Sequence, residues 1–99
     1  MRVVWTRSAK LRLHAIHDYL SQQSPRTADN VIVRLVQRSG LLSELARSGR
    51  RVQEFDRDDI RELLVRPYRI IYAIHPDRID VLTVVHYRQL LPSDLPSSN

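Results

Sequence analysis

From Ala9 onward the apolar residues Leu13, Ile16 and Leu20 recur at helical spacing, with Arg12, His17 and Asp18 among the polar positions between them; this predicts a first helix. A short β-prone run, Val3-Val4-Trp5, precedes it, and Thr6 or Ser8 is placed to cap its first amides. Ser24-Pro25 restarts the helical pattern, because serine accepts from first-turn amides and proline is pre-set for the first helical position. Ala28, Val31, Ile32, Leu35, Val36, Leu42 and Leu45 then mark one face of a long second helix, with Gly40 inside it and Gly49 ending it. Only a few residues separate the two helices, so an antiparallel hairpin is expected.

After Gly49 the period changes to that of strands. Val52 to Phe55 is a short candidate, followed by a polar turn cluster at Asp56-Arg57-Asp58-Asp59. Ile60 to Val65, Tyr68 to Ile74 and Ile79 to His86 are longer runs rich in β-branched and aromatic residues, broken by Arg66-Pro67 and by His75-Pro76-Asp77-Arg78. The expected architecture is α+β: an N-terminal strand and a two-helix antiparallel hairpin packed on a C-terminal antiparallel β-sheet. Residues 1–91 are expected to form a single domain, and 92–99, rich in proline and serine, a flexible C-terminal tail.

Strand pairing decides which side chains share a face. If His75 to Arg78 is the loop, Ile74 faces Ile79 and Arg69 faces Val84; His86 then lies on the face of Arg69, about 7 Å away on the diagonal. Closing the earlier hairpin at Arg66-Pro67 puts Leu64 opposite Arg69 and adds Glu62 to that face. The opposite face collects Leu63, Val65, Tyr68, Ile70, Tyr72, Ile74, Ile79, Val81 and Val85, which the helical hairpin must cover. The side carrying Glu62, Arg69 and His86, diluted by Ile71, Ala73, Leu82 and Val84, is expected to stay uncovered, as half-apolar faces that dock a partner do. The same residues also fit a plain ion pair between Glu62 and Arg69 and a histidine that ends a strand.

Composition narrows the chemistry. Cysteine is absent from the 99 residues, which removes disulfides, thiolate metal sites and cysteine nucleophiles. His14 and His17 stand three apart on the first helix but have no third ligand in view, so no metal is expected. No glycine-rich phosphate loop or dinucleotide fingerprint occurs, and no cofactor is implied. No apolar run reaches the roughly 18–20 residues that span a bilayer, so a cytoplasmic protein without membrane contact is expected. The formal charge is +5, and of the 16 cationic side chains only Lys10 is not arginine. Arginine suits planar, bidentate contact with carboxylate or phosphate, which points to an anionic partner, nucleic acid or acidic protein. Trp5 is expected as a core or edge anchor.

An ordered series of short pieces resembles the RelE/ParE superfamily of type II toxin–antitoxin toxins, and within it the ParE branch of the plasmid-stabilisation type. It runs through Ser24-Pro25 with Ala28, Gly49-Arg50, Glu54-Phe55, Ile60-Arg61-Glu62-Leu63 and Tyr68-Arg69-Ile70-Ile71-Tyr72. It ends in Val81-Leu82-Thr83-Val84-Val85-His86 with Arg88 and Leu90-Leu91-Pro92. The resemblance implies a toxin neutralised by a ParD-like antitoxin that wraps it, with DNA gyrase as the target. Departures are Ala46, where proline is common, Gln89, where a second arginine often follows, and Tyr87. His86-Tyr87 is similar to the ending of YoeB-type ribonucleases, which implies the alternative of a ribosome-dependent mRNA endoribonuclease.

Under the nuclease alternative Glu54 or His86 is the candidate base, Arg69 the phosphate clamp, and His86 or Tyr87 the remaining acid or orienting group. Strand alternation puts Tyr87 opposite His86, so this version needs the strand to twist or end between them. Under gyrase inhibition there is no catalysis, and Arg61, Arg66, Arg88 and the last residues are the candidate contacts. Direct DNA binding lacks a recognition-helix pattern, since both helix faces are committed to the core.

Overall fold

The computed structural model of the chain describes residues 1–91 and Leu95; the expected tail at 92–99 therefore lies outside the described residues apart from Leu95. Strand β1 (Arg2–Trp5) leads into helices α1 (Arg7–Ser21) and α2 (Pro25–Gly40) and a single 3₁₀ turn at Leu41–Ser43. Strands β2 (Arg50–Arg51), β3 (Ile60–Val65), β4 (Tyr68–Ile74) and β5 (Arg78–His86) follow. They form one five-stranded sheet in the order β1-β5-β4-β3-β2. The fold is α+β, as expected, but the sheet is mixed: β1 runs parallel to β5, with Trp5 opposite Val81. Parallel pairing is possible because a long stretch of chain, both helices and three further strands, separates the two.

Both helix starts form as the capping residues dictate. Thr6 Oγ1 accepts from the Ala9 amide and also donates to the carbonyl of Val81, tying α1 to β5. Ser24 Oγ accepts from the Thr27 amide with Pro25 beginning α2. Ala9, Ile16 and Leu35 then pack on Val65, Tyr68, Ile70, Val81 and Val84 from one side of the sheet. Trp5 joins them and donates its indole N–H to Ser39 Oγ.

The second helix ends nine residues earlier than its apolar pattern predicts, at Gly40 instead of Gly49. The chain tightens there so that Leu42 is buried against Tyr72 and Ile79, while Val36 and Leu45, expected on the core face, are exposed. Gly49 has a different task. Its amide donates to Tyr72 Oη, which donates in turn to the carbonyl of Ala46, so a phenol buried in the core holds the approach to β2. Burial pushes the Tyr72 hydroxyl above its ordinary pKa, which keeps it protonated as the donor.

The register of β3 with β4 is as expected, with Leu64 opposite Arg69. Between β4 and β5 it is not. Ile74 faces Ile79, but a bulge leaves Ile71 opposite Thr83 and Tyr72 opposite Val81, so Leu82 is an extra residue. Beyond it every side chain on β5 changes face: Arg69 opposes Val85, not Val84, and His86 opposes Tyr68. Val84, not Val85, thus belongs to the helix-side core.

The second face of the sheet is also covered, which overturns the expectation of an open one. Val52 is not in a strand; it folds back with Phe55 onto Ile60, Ile71, Ala73 and Leu82, joined by Leu91 and Leu95. Burial of those side chains at about 1.5–3 kcal/mol each gives the loop between β2 and β3 a reason to lie flat. Strands β4 and β5 are buried on both sides over almost their whole length.

Candidate functional site

Where the apolar cover on the second face ends, a cleft of about 750 Å³ opens, lined by charged and apolar side chains together. Strand alternation places Glu62 and Leu64 of β3 and Arg69 of β4 on its floor, and β2 brings Arg50 directly opposite Glu62. The irregular segment after β2 carries Glu54 over Arg69, and the β3–β4 turn contributes Arg66 and Pro67. Tyr87, just past the end of β5, forms part of the wall.

Arg69 is the hub. Its Nε donates to Glu62 Oε1 at 2.8 Å and its Nη2 donates to the same oxygen, while Nη1 and Nη2 donate to the two oxygens of Glu54 at 3.0 and 2.9 Å. Glu62 Oε2 accepts from Arg50 Nε. The result is a linear chain of alternating charge, Glu54–Arg69–Glu62–Arg50, in which Glu62 is 2% and Arg69 7% exposed. Burial of both ions is tolerable only because each is paired and hydrogen-bonded. The hydrogen bond from Arg69 holds the Glu54 carboxyl below its ordinary range against the opposing effect of burial. The same bond, accepted by Glu54, raises the pKa of the Arg69 guanidinium further still.

Because Glu54 has its pKa lowered from 4.5 in the folded state, the folded chain binds fewer protons than the unfolded one in mild acid. Its stabilising contribution is complete above the unfolded value and is lost as the pH falls through the folded one. Melting temperature is therefore expected to drop on acidification from about pH 5 to pH 3, and to drop less in Glu54→Gln, as read by circular dichroism. With 37% of the Glu54 side chain exposed, solvent screening keeps the difference small.

The sequence-predicted residues divide between places. Glu54 and Arg69 meet directly, and Tyr87 borders their cleft. His86, placed beside Arg69 by simple alternation, faces the helix side; its ring meets Tyr68 edge-on at 6.0 Å and stacks on Tyr87 at 4.9 Å. β5 ends at His86, so Tyr87 escapes the alternation that would have set it opposite. Arg66 lies exposed at the rim, and among the described residues only its backbone carbonyl is engaged, by Arg34. Arg88 donates to Tyr87 Oη and lies over its ring at 5.4 Å. Arg61, beyond the cleft, is held by Asp58 and the carbonyl of Gly49. Arg50 is the site residue that pattern reasoning missed as a contributor, since a two-residue strand leaves no periodicity to read. His17 bonds Asp29 across the helical hairpin, and among the described residues no three potential metal ligands gather. No described helix is long and apolar enough to cross a membrane.

A helical hairpin on a mixed five-stranded sheet, with an arginine clamped by two carboxylates on the far face, makes the molecule a small α+β domain with a charged cleft. Comparison with known proteins is consistent with that class. The model of the ParE toxin of the type II toxin–antitoxin system parDE matches residues 3–91. Toxin RelE2 of Caulobacter vibrioides is 33% identical over 90 residues, covering 90% of this chain and 98% of that one. The structure described as the chromosomal ParDE system from P. aeruginosa superposes with a TM-score of 0.72 at 26% identity, over 87% of this chain and 95% of that one. The chain belongs to the ParE toxin family.

Proposed function

We propose that this chain is held inactive by a ParD-like antitoxin and acts, when released, by binding DNA gyrase and not by catalysis. The observation that carries this reading is the engagement of every nitrogen of the Arg69 guanidinium by Glu54 and Glu62. Four of the five N–H groups of Arg69 are thereby committed, which leaves no free pair for a phosphate, and a general base works best with a pKa near the operating pH; Glu54 is shifted the other way. His86 opposes Tyr68, so by register its side chain leaves the sheet on the face away from Arg69. The solved ParDE relative supports an antitoxin partner. Exposed Arg66 and Arg88, with Arg61, which lies beyond the cleft, remain the proposed contacts with the target. No step in this action needs a cofactor.

The second reading, a ribosome-dependent mRNA endoribonuclease, draws support from Tyr87, which stacks on His86 while bordering the cleft of Glu54 and Arg69. Two assays separate them: gyrase supercoiling with the purified protein, and primer extension on mRNA in a translating extract. Supercoiling is expected to stop, and to stop equally with His86→Gln and Tyr87→Phe, which keep the fold. Unimpaired supercoiling, together with mRNA cleavage that falls by about 100-fold or more in His86→Gln, would establish the nuclease instead.

A further inference from the structure

The cleft above Arg69 carries an imbalance that the network inside it does not remove. Three guanidinium groups line it, Arg50, Arg66 and Arg69, against two carboxylates, Glu54 and Glu62. Arg50 and Arg69 are joined to those carboxylates; the Arg66 guanidinium has no hydrogen-bond or ion-pair partner among the described residues and is exposed at the rim. Beside it the lining is apolar, from Leu64 and Pro67, with the Tyr68 ring behind them.

We propose that this cleft docks one acidic side chain of a partner polypeptide, with its carboxylate taken by Arg66 and an adjoining aliphatic side chain laid on Leu64 and Pro67. The surplus of a single positive charge matches one carboxylate, and a guanidinium binds a carboxylate through two parallel hydrogen bonds. A nucleic-acid strand fits less well. It brings a negative charge with every nucleotide, and all but the first would face Glu54 and Glu62. The apolar lining likewise favours a peptide, which can present an aliphatic residue next to the acid. The inference deepens the antitoxin reading and rests on it only for the identity of the polypeptide.

Two measurements on the full chain test it. In the first, N-acetyl-Glu-Leu-amide and N-acetyl-Gln-Leu-amide are titrated into labelled protein while the Arg66 Nε–H signal is followed by NMR. The acidic dipeptide is expected to shift that signal saturably at about millimolar concentration, and the amide version to bind about tenfold more weakly. Equal shifts, no shift, or saturation by a short oligouridylate at lower concentration than the dipeptide overturns the proposal; the last makes the cleft a phosphate site. In the second, the antitoxin encoded beside this chain is titrated into wild type, Arg66→Ala and Arg26→Ala. Affinity is expected to fall about tenfold for Arg66→Ala and to hold for Arg26→Ala on the outer face of α2. Equal binding to all three overturns the inference and leaves the antitoxin reading standing. Failure of the antitoxin to bind wild type sinks that reading, and the dipeptide experiment then decides the cleft by itself.

Discussion

Arg69→Ala is expected to destabilise the domain by about 3–5 kcal/mol, a large part of what holds a chain of this size folded. The cause is what the substitution leaves behind. Glu62, 2% exposed, loses the guanidinium that accounts for its contacts at Oε1 and keeps only Arg50, whose own side chain is 61% exposed. An uncompensated buried carboxylate must then be hydrated or protonated, and either opens the sheet. Replacing both ions by apolar residues, Arg69→Met with Glu62→Leu, should cost less than the sum of the two single changes, by about 2 kcal/mol or more. Urea denaturation of the four proteins measures the coupling, and additive costs would contradict the paired network. One practical consequence concerns function: loss of toxicity in Arg69→Ala reports on folding before it reports on any chemistry.

Gly49→Ala is expected to cost about 2–4 kcal/mol through overpacking and a lost hydrogen bond. A Cβ at this position would stand 2.5 Å from the carbonyl oxygen of Glu62 and 2.5 Å from Tyr72 Oη. The first is backbone of β3 and cannot swing away. The second is the buried hydroxyl that bridges Gly49 to Ala46, so relieving the clash breaks the bridge. Gly40 provides the matched control, because nothing lies within 4 Å of a Cβ built there. Gly40→Ala at the end of α2 should raise stability by up to about 1 kcal/mol, since alanine loses less backbone freedom on folding. Thermal melts of the two variants should therefore move in opposite directions; a parallel shift would mean that Gly49 is not held as close to β3 and Tyr72 as described.

The helices and long strands were legible because their signals are local. Thr6, Ser24 and Pro25 place both helix starts, and the period-two runs from Ile60, Tyr68 and Ile79 mark β3, β4 and β5 within a residue or so. The tight turn at Arg66-Pro67 was enough to put Glu62 and Arg69 on one face, where they bond. The errors share a different origin. The end of α2 was misplaced because Leu42 and Leu45 continue the helical spacing, and only the need to bury Leu42 against Tyr72 and Ile79 turns the chain at Gly40. His86 was misassigned because one extra residue, Leu82, inverts the alternation of everything after it, and no residue type announces that bulge.

Alternation and charge in the chain alone determined that a glutamate and an arginine from neighbouring strands would share a face, because side chains on a strand point up and down whatever surrounds them. They did not determine how that face is used. The folding back of Val52 and Phe55 on one end of it, and of Glu54 and Arg50 on the other, turned an expected open surface into a core with a charged, partly apolar cleft beside it. Those residues are separated from Arg69 by more than a dozen positions, and a contact at that distance is set by which apolar surface most needs covering, a quantity that exists only once the sheet has formed.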